Sequence, residues 1–81
     1  MRIEVKLFAR ARDLGGTGSL ALELPEGATV AALRATLAEH LPALAGFLPR
    51  CAVAVGGDIA GDGKTLSAGD EAAVLPPVSG G

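Results

Sequence analysis

Aromatic residues are almost absent from this chain of 81 residues, which contains two Phe and no Trp or Tyr. Its hydrophobic fraction of 49% therefore depends largely on small aliphatic side chains, above all alanine. A chain of this length can bury one small core, and a core of small side chains gives modest stability. The sequence predicts a single domain whose stability a partner could raise.

The chain also lacks the features that mark several classes of protein. Its net charge is −2, whereas nucleic-acid-binding domains normally carry a clear excess of Lys and Arg. No apolar run approaches the roughly 18 residues that a membrane-spanning helix needs. The first residues alternate between charged and apolar, unlike a signal peptide. The single cysteine, Cys51, has no partner for an internal disulfide. We therefore expect a cytoplasmic protein that binds neither nucleic acid nor membrane.

Residues that carry out catalysis or bind metals are equally scarce. With one histidine, His40, one cysteine and no evident pair of nucleophile and base, the sequence supports neither a catalytic triad nor a metal site. The segment 61–65 resembles part of a phosphate-binding loop, but the glycine required five residues before Gly63 is Asp58. Cys51 is better explained as a small buried hydrophobe than as a nucleophile. We expect no self-contained active site, no bound metal and no bound cofactor.

Alternation of apolar and polar residues predicts two β-strands at the start of the chain. Residues 2–10 alternate strictly, and the leucines of residues 20–24 alternate again after a glycine-rich turn. Phe8 stands on the face of the first strand that is otherwise charged. We expect these segments to form a hairpin, with residues 10–14 as a looser stretch before the turn.

The middle of the chain has the spacing of an amphipathic helix. Apolar residues recur at helical intervals over residues 30–41, Thr29 is a suitable N-cap, and Pro42 ends the pattern. Residues 43–48 can add one more helical turn.

Two further strands are predicted in the second half of the chain, over residues 51–55 and 71–75. Residues 58–70 between them are rich in turn-forming residues, with Ile59 and Leu66 as apolar points. The resulting order of strand, strand, helix, strand and strand predicts an α+β fold, in which one main helix packs across a mixed sheet.

The last predicted strand carries one residue of a predicted partner surface. Leu75 follows Val74, so their side chains point to opposite faces of the sheet. If Val74 faces the helix, Leu75 faces outward, as Phe8 does. Two large apolar side chains on one exposed face indicate a partner surface, and the basic residues near Phe8 favour a partner that is partly acidic there. Scattered surface hydrophobes are the alternative explanation.

The chain ends in the segment Pro76-Pro77-Val78-Ser79-Gly80-Gly81. Two prolines remove two N–H donors and lead the chain out of a sheet, while a glycine pair adds nothing to a core. The pair offers a free carboxylate on a backbone that fits a narrow channel, at a reach of about 20 Å. We expect a domain over residues 1–75 and a flexible arm over residues 76–81. A frayed terminus is the alternative.

Three segments together carry a resemblance to a known family. They are residues 7–14, 69–73 and 76–81, with the sequences LFARARDL, GDEAA and PPVSGG. Over its whole length the chain resembles the small, sulfur-carrying subunits of molybdopterin synthase, which are ubiquitin-like proteins. The resemblance implies the ubiquitin-like β-grasp fold, in agreement with the predicted order of elements.

The resemblance also implies a function for Gly81. An E1-like adenylating enzyme uses ATP to activate its carboxylate, and a sulfur donor converts the adenylate to a thiocarboxylate. The arm then enters the large subunit of the synthase, a heterotetramer whose active site is expected on that subunit, and the sulfur passes to a pterin precursor. By the same likeness the reactive positions are Gly80 and Gly81, and the partner contacts are Phe8, Arg12, Ile59, Leu75, Pro76, Pro77, Val78 and Ser79.

Three other functions share parts of this pattern. A sulfur carrier for thiazole synthesis in thiamine formation uses the same chemistry, and a test for thiamine auxotrophy separates the two. A ubiquitin-like protein modifier uses the same arm to form isopeptide bonds, which appear as conjugates on a denaturing gel. A pure interaction module tolerates the loss of Gly81.

Overall fold

The computed structural model describes residues 1–77, and residues 78–81 lie outside the described part. The strands and α-helices follow in this order: β1 (Arg2–Leu7), α1 (Ala9–Gly15), β2 (Ser19–Glu23), α2 (Val30–His40), β3 (Ala52–Val55), β4 (Asp58–Ala60) and β5 (Glu71–Leu75). Two short 3₁₀ helices, Pro42–Leu44 and Leu48–Arg50, connect α2 to β3. None of the helices in this part combines the length and the apolarity that a membrane span requires.

The five strands form one mixed sheet in the order β2-β1-β5-β3-β4. Its centre is a parallel pair of β1 and β5, in which Leu7 lies opposite Val74. The other neighbouring strands are antiparallel. This is the predicted α+β arrangement, with one main helix across one face of a mixed sheet.

The core lies between that face and the apolar stripe of α2. The side chains of β1 alternate between exposed and buried along the strand, as the sequence pattern predicts. The hydroxyl of Thr29 accepts a hydrogen bond from the Ala32 amide at 3.4 Å, so Thr29 is the predicted N-cap. The residues of α2 that are fully buried in the core are Val30, Leu33 and Leu37.

The predicted first strand is too long, because β1 ends at Leu7 and the chain continues into helix α1. Ala11 in this helix is fully buried. Gly15 packs so closely that an added Cβ would lie 3.0 Å from the Leu7 side chain. Residues 8–10 continue the alternation that favours a strand. The free energy gained by packing α1 against the end of the sheet outweighs this local preference. The prediction of a loose stretch over residues 10–14 is therefore wrong, although β1 and β2 pair as in the predicted hairpin.

The turn-rich segment after β3 contains a strand that the sequence pattern did not predict. Gly56 and Gly57 have φ angles of 59° and 89°, the geometry of a tight two-residue hairpin turn. Beyond them β4 pairs with β3, and Ile59 lies opposite Ala54. A strand of three residues is too short to show alternation, so the glycine pair is the signal that could have revealed it.

Arg34 of α2 ties together the loops around the start of β3. Its Nη1 donates to the Leu48 carbonyl oxygen at 2.7 Å, and its Nη2 donates to the Cys51 carbonyl oxygen at 2.8 Å. Its Nε donates to the Asp62 carboxylate at 2.9 Å. The Arg34 side chain is only 21% exposed, whereas that of Asp62 is 66% exposed. The two main-chain contacts are thus the better shielded from water.

Replacement of Arg34 by Ala should lower the free energy of unfolding by about 1–3 kcal/mol, because two partly buried carbonyl groups lose a charged donor. Asp62→Ala is the matched control, since it removes only the exposed ion pair and should cost at most about 1 kcal/mol. Urea unfolding followed by circular dichroism measures both values. Equal losses in the two variants would contradict a stabilising role for the main-chain contacts.

Candidate functional site

The sheet face that points away from α2 carries small apolar residues in its centre and larger ones at its sides. One row of opposed residues across four strands consists of Lys6, Ala73, Ala54 and Ile59. In the adjacent row Leu75 lies opposite Ala52. Directly opposed residues share a face of the sheet, so these side chains form one surface.

Phe8 continues this surface beyond the end of β1. Its backbone is extended, with φ −123° and ψ 152°, so its side chain points to the face opposite that of buried Leu7. Because Leu7 lies opposite Val74 in the central pair, Phe8 lies beside Leu75. We name this surface the apolar patch, and its members are Phe8, Leu75, Ile59, Ala52, Ala54 and Ala73.

The patch is open to solvent at two of its large residues. Phe8 is 45% exposed and Ile59 is 68% exposed. Leu75 is half-buried on the same face. Large apolar side chains grouped on one exposed face are typical of a surface that binds a partner. The structure thus brings together three residues that the resemblance assigned to partner contacts, and their role in binding stays a prediction.

Three basic residues lie close to Phe8 in the chain, and one of them, Lys6, lies opposite Ala73 of the patch. The Lys6 ammonium is 3.2 Å from the Glu71 carboxylate and is therefore already paired. Arg12 follows Phe8 by one turn in α1, and both Arg10 and Arg12 are exposed. Neither arginine forms an ion pair with a residue of the described range. The side chain of Arg12 lies beside Gly18, in the turn that precedes β2, and its role in partner contacts stays a prediction.

Strand β5 carries the chain directly from the patch into the C-terminal arm. Leu75 is the last residue of β5, Pro76 after it is half-buried, and Pro77 is exposed. Neither proline can donate to a neighbouring strand, so the ladder ends there. The predicted contact residues Val78 and Ser79, and the predicted reactive residues Gly80 and Gly81, lie outside the described residues.

Cys51 is a buried thiol beside Arg34. It is 4% exposed, and its Sγ donates to the Phe47 carbonyl oxygen at 3.5 Å. Burial raises the pKa of the thiol above its ordinary value of 9.0, and the positive charge of Arg34 opposes this shift. The thiol is therefore protonated at neutral pH, and a protonated thiol is a poor nucleophile. The position agrees with the prediction that Cys51 is a small buried hydrophobe.

The other polar features of the described residues offer little chemistry. The segment that resembles a phosphate-binding loop is a turn, closed by a hydrogen bond of 3.0 Å from the Lys64 amide to the Gly61 carbonyl oxygen.

A cleft of about 390 Å³ lies between α2 and the second 3₁₀ helix. Its lining is mainly apolar, and the charged residues in it are Arg34 and Asp62. Within residues 1–77, no group of His, Cys, Asp and Glu is arranged to hold a metal ion.

Comparison with known sequences identifies close relatives. The sequence model of the ThiS family matches residues 5–81. The chain is 35% identical over 83 residues to the molybdopterin synthase sulfur carrier subunit of Chlamydomonas reinhardtii, and the alignment covers both chains completely. It is also 35% identical over 81 residues to the subunit of that name from Arabidopsis thaliana, covering all of this chain and 84% of the relative.

Three solved structures have the same fold. SAMP1 from Haloferax volcanii has a TM-score of 0.93 and 31% identity, with complete coverage of both chains. A putative molybdopterin converting factor, subunit 1, from Pyrococcus furiosus has a TM-score of 0.88 and 30% identity, with 96% and 99% coverage. A complex of subunits 1 and 2 of molybdopterin-converting factor from Helicobacter pylori gives a TM-score of 0.72 and 26% identity, with complete coverage. These likenesses confirm the predicted ubiquitin-like β-grasp fold.

Two neighbouring residues test which side chains belong to the patch and which to the core. Phe8→Asp should leave the fold intact, with a change in unfolding free energy of about 1 kcal/mol or less, because the side chain is already in contact with water. Leu7→Asp, one residue earlier, buries a carboxylate in the core and should cost several kcal/mol, enough to unfold so small a domain. Circular dichroism with urea titration decides, and loss of the folded signal in Phe8→Asp would place Phe8 in the core.

Proposed function

The chain belongs to the ThiS family, and we propose that it is the sulfur carrier subunit of a molybdopterin synthase. The observation that carries this proposal is the full-length likeness to two curated subunits of that kind, each at 35% identity. The likeness to a subunit-1 chain solved in complex with subunit 2 supports a large subunit as the main partner.

On this proposal the reactive group is the carboxylate of Gly81. A carboxylate is a poor electrophile, because attack on it must expel oxide from a group that is already anionic. An E1-like adenylating enzyme transfers AMP from ATP to this carboxylate and releases pyrophosphate. A sulfur donor then displaces AMP and leaves the thiocarboxylate. Gly80 and Gly81 have no side chain to hinder these steps or to crowd a narrow channel.

The apolar patch and the arm have separate tasks in this proposal. The patch docks on the large subunit, with Arg10 and Arg12 facing acidic residues of that subunit. The arm, residues 76–81, can reach at most about 20 Å when fully extended, and on this proposal it delivers the thiocarboxylate to the active site. The large subunit provides the groups that stabilise charge as sulfur passes to the pterin precursor. We propose a heterotetramer of the two kinds of subunit.

The proposed cellular setting follows from the same chemistry. ATP is consumed by the adenylating enzyme, and the carrier itself needs no bound cofactor or metal. We place the carrier in the cytoplasm. Disulfides are rare in that reducing compartment, and the single cysteine of this chain cannot form an internal one.

Protein modification is a second candidate function. The observation that favours it is the likeness to SAMP1 of Haloferax volcanii, whose designation in a related structure is small archaeal modifier protein 1. A modifier joins its C-terminal glycine to lysine side chains of other proteins, so the activated glycine is common to both functions. The fate of the activated glycine separates them.

Incubation of the chain with its adenylating enzyme, ATP and a sulfur donor should replace one oxygen by sulfur at Gly81. Intact-mass spectrometry should show the corresponding gain, and peptide mapping should place it in the arm. A chain that lacks Gly81 is the control and should gain no sulfur, because its terminal carboxylate no longer reaches the activating site.

Other mass changes would point elsewhere. Sulfur found on Cys51 as a persulfide would contradict the proposal, and the burial and raised pKa of that thiol argue against it. Conjugates with lysines of cellular proteins, without transfer of sulfur to a pterin, would establish the modifier instead.

A further inference from the structure

Ala9 has an unusual backbone conformation at the edge of the apolar patch. Its φ angle is 49°, and among residues 1–77 it is the one residue other than glycine with a positive φ. In this left-handed region the Cβ atom of an L-residue crowds the neighbouring carbonyl oxygen. Such strained residues persist only where the surrounding structure holds them, and they concentrate at functional sites. Ala9 directly follows the exposed Phe8.

The chain is fixed firmly on both sides of Ala9. Before it, the Leu7 amide donates to the Gly18 carbonyl oxygen at 2.9 Å and anchors the end of β1. After it, the amides of Ala11 and Arg12 donate to the Phe8 carbonyl oxygen at 3.1 and 3.4 Å. The fully buried side chain of Ala11 holds this first helical turn against the core. The change of direction from strand to helix is therefore concentrated in Ala9.

Packing of its own methyl group does not explain the alanine at position 9, because Ala9 is exposed. Glycine adopts positive φ angles without strain, and it occupies the other such positions of the described chain, which are Gly16, Gly27, Gly56, Gly57 and Gly69. A glycine, however, also has access to many other conformations, whereas an alanine has few. Alanine therefore restricts the direction of the chain at Phe8 more than glycine would.

We propose that Ala9 is a positioning residue, whose restricted left-handed conformation holds Phe8 in its binding orientation before the partner arrives. An aromatic side chain that is already ordered loses less conformational freedom on binding. Aromatic side chains that become buried at an interface often account for much of its affinity. The identity of the partner, the large subunit of the synthase, rests on the proposed function, whereas the ordering of Phe8 is a property of the free chain.

Ala9→Gly should separate stability from affinity. Glycine relieves the strain, so the urea midpoint should stay unchanged or rise. The dissociation constant for the large subunit should nevertheless rise about three- to tenfold, because Phe8 must be ordered on binding. Isothermal titration calorimetry with the purified large subunit measures the affinity. If Ala9 acted on stability alone, the variant would not bind more weakly while its urea midpoint stayed unchanged or rose.

Two control variants sharpen the comparison. Ala9→Asn retains a Cβ atom and tolerates the left-handed region. If the backbone freedom of glycine is what weakens the binding of Ala9→Gly, the affinity of Ala9→Asn should stay within about twofold of the wild-type value. Ala31→Gly introduces a glycine at an exposed position of α2. It should lower the urea midpoint and leave the dissociation constant unchanged.

A second readout does not depend on the partner. In the free chain, ¹⁵N relaxation should show lower order parameters at the Phe8 and Arg10 amides in Ala9→Gly and wild-type values in Ala9→Asn. Wild-type order parameters in Ala9→Gly would overturn the inference, and so would wild-type affinity in that variant. If the wild-type chain does not bind the large subunit, the proposed function fails, and the order parameters alone then decide the role of Ala9.

Discussion

The parallel pairing of β1 with β5 is the constraint on which the fold and the candidate site both depend. It joins the two ends of the chain at the centre of the sheet, and parallel strands end at the same edge. Phe8, which follows β1, and Pro76, which follows β5, therefore leave the sheet side by side. This pairing brings the apolar patch next to Pro76 and Pro77, the first residues of the proposed arm. The central claim of the proposed function, that the patch docks while the arm carries the reactive group, rests on this arrangement.

Much of this arrangement could be predicted from the sequence, because the features concerned are local. The helical spacing and the N-cap of α2 depend on residues within a few positions of one another, and β5 coincides with the predicted strand over residues 71–75. The outward direction of Leu75 follows from alternation with Val74. The reactive role of the terminal carboxylate stays a prediction, because residues 78–81 lie outside the described residues.

The features that the sequence did not indicate depend on contacts between distant segments. Helix α1 forms because burial of Ala11 and close packing of Gly15 outweigh a local alternation. Arg34 bonds to carbonyl groups 14 and 17 residues away, which no local pattern reveals. The resemblance alone assigned Ile59 to the partner contacts, and its place beside Ala54 depends on the pairing of β4 with β3. The left-handed conformation of Ala9 likewise has no signal in the residue type, since alanine is common in both strands and helices.

The most direct test of separate docking and chemistry uses a chain without Gly81 as an inhibitor. In a sulfur-transfer assay with the large subunit, the pterin precursor and the thiocarboxylated wild-type chain, we expect the truncated chain to inhibit competitively, because its patch is intact and it carries no sulfur. Adding Phe8→Asp to the truncated chain should weaken inhibition by about tenfold or more. Absence of inhibition by the truncated chain, or equal inhibition by both chains, would contradict the account.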